Sequence, residues 1–324
     1  MSAAAPAAER FPVVWGEDAP TRACVWCGEP LGEGSRRLHG RVLCGRCGAA
    51  STDPWPSAQD LDRAYGTWYR PAGGRRYALI GDAFFTRSRA MIAGRIDEIS
   101  PPGPVIDVGS GEGVLIAALQ RRGRRVLGLE RGATAPEARE AAGPEVRDAT
   151  LEQVEGDGEW AAVVFWHALE HLPAPGAAIR EAARLLMGGG VLLVAVPNSD
   201  SLQARAFGDR WLHLDLPRHL VHLSERSLRS GLERNGFRVE RTSGVRGAQV
   251  VIGWLDGLVG SLPGDLRLYE ALRRPAARSA PMSRGRRLAA VAAGVVLFPL
   301  ALACSAVEVA LGRSGTLYVE ARLA

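Results

Sequence analysis

The chain has 324 residues, 47% of them apolar. That excludes a segment too short or too polar to build a core and fits one large domain with a small appendage. Forty basic residues against 35 acidic ones leave a net charge of +5 and a pI near 9.2. This balance permits nucleic acid or an anionic membrane as partner and establishes neither. Arginine carries all of the basic charge, a compositional bias that does not follow function.

Residues 1–20 are expected as a disordered tail. Met1 to Arg10 is rich in alanine and proline and lacks the apolar centre of a signal peptide. Residues 21–55 hold Cys24-Val25-Trp26-Cys27-Gly28 and Cys44-Gly45-Arg46-Cys47-Gly48. The spacing C-x2-C-x16-C-x2-C is that of a four-cysteine zinc module. Two tight turns would each present two thiolates to one tetrahedral ion, leaving no open catalytic position. Two disulfides or a redox pair are the alternatives. They are disfavoured because no secretory segment is seen and neither pair lies in a βαβ unit. Cys304, in an apolar run, reads as buried filler. Residues 56–104 are expected to form a helical lead-in or cap.

The core is expected over 105–243. It opens with Val105-Ile106-Asp107-Val108-Gly109-Ser110-Gly111-Glu112-Gly113, followed by the apolar stretch Val114 to Leu119. A buried strand thus feeds a helix through a loop with almost no side chains. Such a loop lets backbone approach a ligand closely, and the helix start offers free N–H groups. The glycines run G-x-G-x-G, with Val114 at the third dinucleotide position, so the NAD fingerprint is absent; no Lys-Ser/Thr follows, so neither is this a Walker loop. A generic tight turn is the bland alternative.

Later strands follow in order. Val126 to Leu129 ends at Glu130, an acid placed to accept from both hydroxyls of a ribose. Glu145 to Ala149 contains a third strand, and Ala161 to Trp166 is the fourth. A helix starts near Pro175 and is expected to end at Leu186 to Gly190; Val191 to Val196 is the fifth strand. This alternation predicts a parallel, doubly wound sheet with ligands at the strands' carboxyl ends, where Asp107, Glu130, Asp148 and His167 fall.

His167-Ala168-Leu169-Glu170-His171 matches the H-x-x-E-H peptidase motif. That chemistry needs a sustained helix, whereas here a strand enters the motif and Pro173 and Pro175 follow. A loop beside the cofactor is the preferred reading. Phe207 to Leu223 gathers His213, Asp215, Arg218, His219 and His222 in a stretch expected to be non-helical. It is the candidate acceptor wall, with His219 the best base and His171 and His167 the other catalytic candidates. Ser224 is expected to cap the next helix.

The D-x-G-x-G-x-G loop resembles the first motif of class I S-adenosylmethionine (SAM) methyltransferases. Residues 85–243 and 316–323 look like that family, and H-x-L-E-H-L with the later V-P-N is similar to the branch of ubiquinone-biosynthesis O-methyltransferases. That branch often has an acid where this chain has His167. The resemblance implies a Rossmann-like seven-stranded sheet. It implies SAM contacts from Asp107, Gly109, Ser110, Gly111, Gly113, Glu130, Asp148, Ala149 and His167. It also implies that Phe237 to Arg241 and Thr316 to Glu320 are strands six and seven, paired antiparallel.

Residues 244–315 then form a helical insertion, and 316–324 the last strand of the core. Leu288 to Leu311 is apolar apart from Gly294, Pro299, Ser305 and Glu308, and follows six arginines from Arg273 to Arg287. At about 1.5 Å per residue the segment is just long enough to span a bilayer. A chain that leaves one sheet must return to it on the same side. The helix is therefore expected either to lie on or dip into an anionic leaflet, or to bury in a cap or dimer. The expected function is SAM-dependent methyl transfer to a small or lipid-linked metabolite, in the cytoplasm or peripherally at the membrane's inner face, with structural zinc. A zinc-containing RNA methyltransferase is the runner-up, although the module offers few aromatics for base stacking. A non-catalytic SAM-binding or membrane-docking subunit is the third reading.

Overall fold

The computed structural model describes residues 23–32, 34–66, 79–130, 146–244 and 248–324. The expected tail, Glu145 and residues 67–78 of the lead-in lie outside them. The elements, in order, are β1 (Arg36–Arg37), β2 (Arg41–Leu43), β3 (Ala50–Thr52), α1 (Ala58–Ala64), α2 (Leu79–Ile99), β4 (Val105–Val108), α3 (Val114–Gln120), β5 (Val126–Leu129), β6 (Val146–Arg147), β7 (Trp160–Trp166), α4 (Pro175–Leu185) and β8 (Leu186–Pro197). They continue with α5 (Leu202–Phe207), β9 (Val221–His222), α6 (Glu225–Arg234), β10 (Phe237–Ser243), α7 (Ala248–Gly260), α8 (Leu268–Leu272), α9 (Arg284–Ala310) and β11 (Thr316–Leu323).

Seven strands form one sheet in the order β10-β11-β8-β7-β4-β5-β6. β8, β7, β4, β5 and β6 run parallel, and β11 pairs antiparallel with both β8 and β10. The middle strands are nearly continuous in Val, Ile, Leu and Ala because both faces are covered. Their period of two sends Ile106, Phe165, Leu192 and Val194 to one core and Val105, Val164, Leu193 and Ala195 to the other. α4, α6 and the cysteine module close the first face; α2 and α3 close the second. Arg95 of α2 donates both arms to Glu320 of β11, at 2.8 and 2.7 Å, tying the last strand to the lead-in helix.

Local signals act as expected at several ends. Pro175 opens α4, and Ser224 caps α6, exchanging hydrogen bonds with Ser227. α4 nevertheless stops at Leu185, and its expected tail is the start of β8. Opposite β7, the register jumps from Trp160–Leu186 to Ala162–Val191. Gly189, with φ of 74°, lets the surplus residues bulge out of the ladder.

A second sheet has the order β1-β2-β3-β9. Its last member, Val221–His222, comes from the expected acceptor wall and was not foreseen as a strand. It forms because Ala50 and Ser51 of the cysteine module pair with His222 and Val221. The rest of that wall is largely non-helical; only the end of α5 and a short 3-10 turn, Gly208–Arg210, occupy its beginning.

Between β10 and β11, helices α7, α8 and α9 pack around Leu255, Val259, Leu268, Ala271, Ala290 and Ala301. The single acid in the apolar segment is fully buried. Glu308 accepts from the Gln203 backbone N–H (2.9 Å), the Gln203 side-chain amide (2.8 Å) and the Trp254 indole (2.9 Å). It therefore bolts α9 to the core. Glu308→Ala strands three donors in a dry interior, and an orphaned buried donor costs about 1–3 kcal/mol. Urea unfolding should show at least about 2 kcal/mol of lost stability, and a loss below about 0.5 kcal/mol would contradict the clamp.

Candidate active site

The glycine loop sits at the carboxyl end of β4, between β5 and β7. Gly109, Gly111 and Gly113 all have positive φ, at 72°, 57° and 69°. At Gly109 the need is also steric, because a Cβ there would come 2.6 Å from the Cβ of Ala168. The loop is fastened by Gly109 and Ser110 N–H groups donating to Leu129 O at 2.7 and 3.2 Å. Glu130 reaches over from the end of β5, and its Oε2 accepts the Gly111 N–H at 2.8 Å. Ser110 Oγ is buried without a hydrogen-bond partner.

Asp107 lies under this loop, 3% exposed. Burial pushes its carboxyl up to about 7, opposed by the nearby Arg89 guanidinium and reinforced by Glu130. Asp148 is exposed and Ala149 half-buried, directly after β6. The residues expected to contact the cofactor, Asp107, Gly109 to Gly113, Glu130, Asp148, Ala149 and His167, thus share the carboxyl edge of the parallel strands.

His167 follows β7 with φ of 53°, its N–H bound to Ala195 O at 2.8 Å. Its Nδ1 lies 3.2 Å from Glu170 Oε1 and its Nε2 3.3 Å from the amide of Gln249, the second residue of α7. His171 ends a single 3-10 turn, Leu169–His171. The sustained helix that an H-x-x-E-H metallopeptidase needs is not formed.

The acceptor-wall segment folds back over this turn. The His219 and His171 rings meet edge to face, with centroids 4.7 Å apart. His171 Nδ1 is 3.0 Å from Arg218 O, and His219 Nδ1 is 2.9 Å from His213 O. Carbonyls only accept, so both Nδ1 atoms carry a proton, and in the neutral rings the Nε2 atoms keep the lone pairs. Glu170 is 2% exposed and its Oε2 has no hydrogen-bond partner. Among the described residues, ligand atoms of Glu170, His171 and His219 lie within 4.8 Å of one another, a spacing compatible with one shared cation. Asp215 pairs with Arg218 and stands 3.7 Å from His219 Nε2.

The four cysteine sulfurs also lie within 4.8 Å of one another, with Cys24 to Cys47 at 3.6 Å and Cys27 to Cys44 at 3.8 Å. No disulfide joins them. Four thiolates about 2.3 Å from one zinc stand about 3.8 Å apart, so the spacing fits. A hydrogen bond from the Cys47 thiol draws Cys24 down to about 5, whereas burial pushes Cys27 up to about 11. Thiols packed this closely cannot all ionise without a cation among them. Trp26, between the first two cysteines, donates to Ser227 O at 2.8 Å and so anchors the module on α6.

Several residues at the site carry no local signal in the sequence. Arg89 of α2 stacks 5.0 Å above the Trp166 ring beside Asp107. Tyr65 OH lies 2.8 Å from His171 Nδ1. Thr52 of β3 donates to His219 O at 2.5 Å. Each owes its place to a long-range contact.

Burial pulls His171 and His213 down to about 4. The unfolded chain binds those protons first. The two rings therefore stabilise the fold fully above about 6.5 and lose that contribution as pH falls towards 4. Asp107 acts in the opposite sense between about 4 and 7, so ring signals are a cleaner readout than melting. In NMR the imidazoles of His171 and His213 should remain neutral down to about pH 5; midpoints near 6.5 would show that they are not buried.

Residues 84–242 match the family described as "Methyltransferase domain". The ubiquinone biosynthesis O-methyltransferase of Pseudomonas paraeruginosa is 32% identical over 102 residues, covering 29% of this chain and 44% of its own length. That of Acinetobacter baylyi is 32% identical over 104 residues, covering 29% and 43%. The chain thus spans less than half the length of these relatives. Among solved structures, the 1,6-didemethyltoxoflavin-N1-methyltransferase of Burkholderia thailandensis is similar over 89% of this chain and 98% of its own, with a TM-score of 0.48 and 16% identity. The cyclase SpnF is similar over 82% and 96%, with a TM-score of 0.49 and 18% identity. The matched stretch, residues 84–242, is just under half of the chain and carries the glycine loop and the parallel strands of the seven-stranded sheet described above.

Proposed function

We propose that this protein is a SAM-dependent methyltransferase whose acceptor is a small or lipid-linked metabolite, such as a sugar, quinone or natural-product intermediate. The observation that carries this reading is the loop from Asp107 to Gly113, with its three positive-φ glycines under Glu130. Asp107 is buried, and Ala168 leaves no room for a Cβ on Gly109. That cradle suits a nucleoside-bearing cofactor without a pyrophosphate. The named relatives, which belong to ubiquinone biosynthesis, support a small acceptor.

In this reading Asp107, Gly109, Ser110, Gly111 and Gly113 hold the cofactor's body. Glu130 exchanges its Gly111 contact for the ribose hydroxyls, Asp148 and Ala149 meet the adenine edge, and His167 borders the reacting centre. When bound, SAM supplies an electrophilic methyl group. The protein's part is to align the acceptor in line with that group and exclude water. For a hydroxyl acceptor, the Nε2 lone pair of His219 takes the proton, its ring held by His213 O. His171 and His167 stand next in line. We also assign one structural zinc to Cys24, Cys27, Cys44 and Cys47. Through the β3–β9 pairing it braces the wall that carries His219.

Calorimetry with S-adenosylhomocysteine tests the cofactor site. Asp107→Ala and Gly109→Val should abolish binding, and Glu130→Ala should weaken it by about 1–3 kcal/mol; unchanged affinity in all three would reject the assignment. His219→Ala should slow methyl transfer by about 10²- to 10⁴-fold with cofactor affinity intact, and a rate within about twofold of wild type would remove His219 from the mechanism. One zinc per chain should co-purify, and Cys24→Ser should release it. Absence of metal together with four free thiols in the folded protein would refute the zinc site.

A further inference from the structure

Helix α9 is inside out. Its buried residues are the small and polar ones: Ala290, Gly294, Ala301, Ser305 and Glu308. Ser305 Oγ is satisfied by Ala301 O at 2.6 Å, and Glu308 by Gln203 and Trp254. The outer face is large and apolar. Leu288 is 71% exposed, Val295 71%, Val296 77% and Leu311 61%. Exposed positions 288, 295, 299, 302 and 306 recur at steps of seven, four, three and four, so they form one continuous stripe. A helix facing water shows the reverse arrangement. Such a stripe on a folded protein calls for an apolar medium or partner.

The surroundings of the stripe favour one occupant. No acid occurs in the sequence between Ala271 and Val307. In the fold Arg273 is buried beside Glu270 and Arg286 pairs with Asp265, while Arg284 and Arg287 at the helix's start have no acidic partner among the described residues. A second copy packed parallel would set arginines on arginines. Packed antiparallel, it would bring Arg313 towards the Arg284 end. Neither arrangement supplies compensating charge, whereas anionic headgroups do. The helix cannot cross a bilayer. Glu308 clamps its far end to the core, and β11 returns directly into the sheet beside β10.

The geometry points to α9 as a docking surface for an anionic lipid leaflet, lying flat with its apolar stripe in the acyl region and its arginine end among the phosphates. This deepens the methyl-transfer reading and rests on it in one respect. α7 starts at the Gln249–His167 contact and packs along α9, so the acceptor is a molecule held in that leaflet.

The full chain is sedimented with vesicles of phosphatidylglycerol in phosphatidylcholine and with phosphatidylcholine alone, and S-adenosylhomocysteine binding is measured in parallel. The double variant Val295→Asp/Val296→Asp changes only exposed positions. It should lose vesicle binding by about tenfold or more while keeping cofactor affinity. Arg284→Glu should weaken binding to the anionic vesicles, and wild-type binding should fall as salt rises. Three results overturn the docking surface: no binding to phosphatidylglycerol vesicles at low salt, equal binding by the double variant, or a lipid-free wild-type dimer that the double variant dissociates. Any of these with cofactor binding intact leaves the methyl-transfer reading standing. Vesicle binding by a wild-type chain that fails to bind S-adenosylhomocysteine removes that reading alone.

Discussion

The antiparallel seat of β11 between β8 and β10 governs the whole C-terminal half. Because the strand is bonded on both sides, the chain that leaves the sheet after β10 must re-enter it one strand inward. Everything between is a closed excursion with both ends on one side. That constraint makes α9 a surface element, and the buried Glu308 fixes which of its faces turns inward. Arg95 adds a second bond to the same strand through Glu320, so the sheet edge, the lead-in helix and the insertion form one unit.

At the same carboxyl ends of the strands, the site is assembled from three sources. The parallel core supplies the glycine loop, Glu130 and the turn from His167 to His171. The segment after β8 supplies His213, Asp215, Arg218 and His219. The cysteine module supplies the brace: β3 pairs with β9, and Thr52 holds the carbonyl of His219 and touches the His222 ring at 3.2 Å. The module is therefore part of the architecture of the segment proposed as the acceptor wall rather than a separate appendage. Burial pulls the His171 and His219 imidazoles below their ordinary value, and the carbonyls of Arg218 and His213 each accept a hydrogen bond from an Nδ1 atom.

Features set by local physics were legible in the sequence. The Val105–Val108 strand, its glycine turn, the α3 start, the Pro175 and Ser224 helix starts and the paired C-x-x-C turns all appear where their residue types demand. The order of the last two strands followed from the family resemblance. Long-range partners were not legible. β9 exists only because β3 offers it a ladder. Tyr65, Arg89 and Gln249 reach the site through packing that no nearby residue announces. The α9 segment was visibly apolar, yet only the fold shows that its polar residues face the protein. The glycines at 188–190 suggested a helix end, but the helix stops at Leu185 and β8 begins before them.

The central claim is methyl transfer from SAM to a small or lipid-linked acceptor. It is tested most directly by incubating the protein with methyl-labelled SAM and fractionated lysate. Label should enter the small-molecule or lipid fraction, dependent on an intact glycine loop. Label confined to RNA, or no transfer by a protein that binds the cofactor, would contradict it.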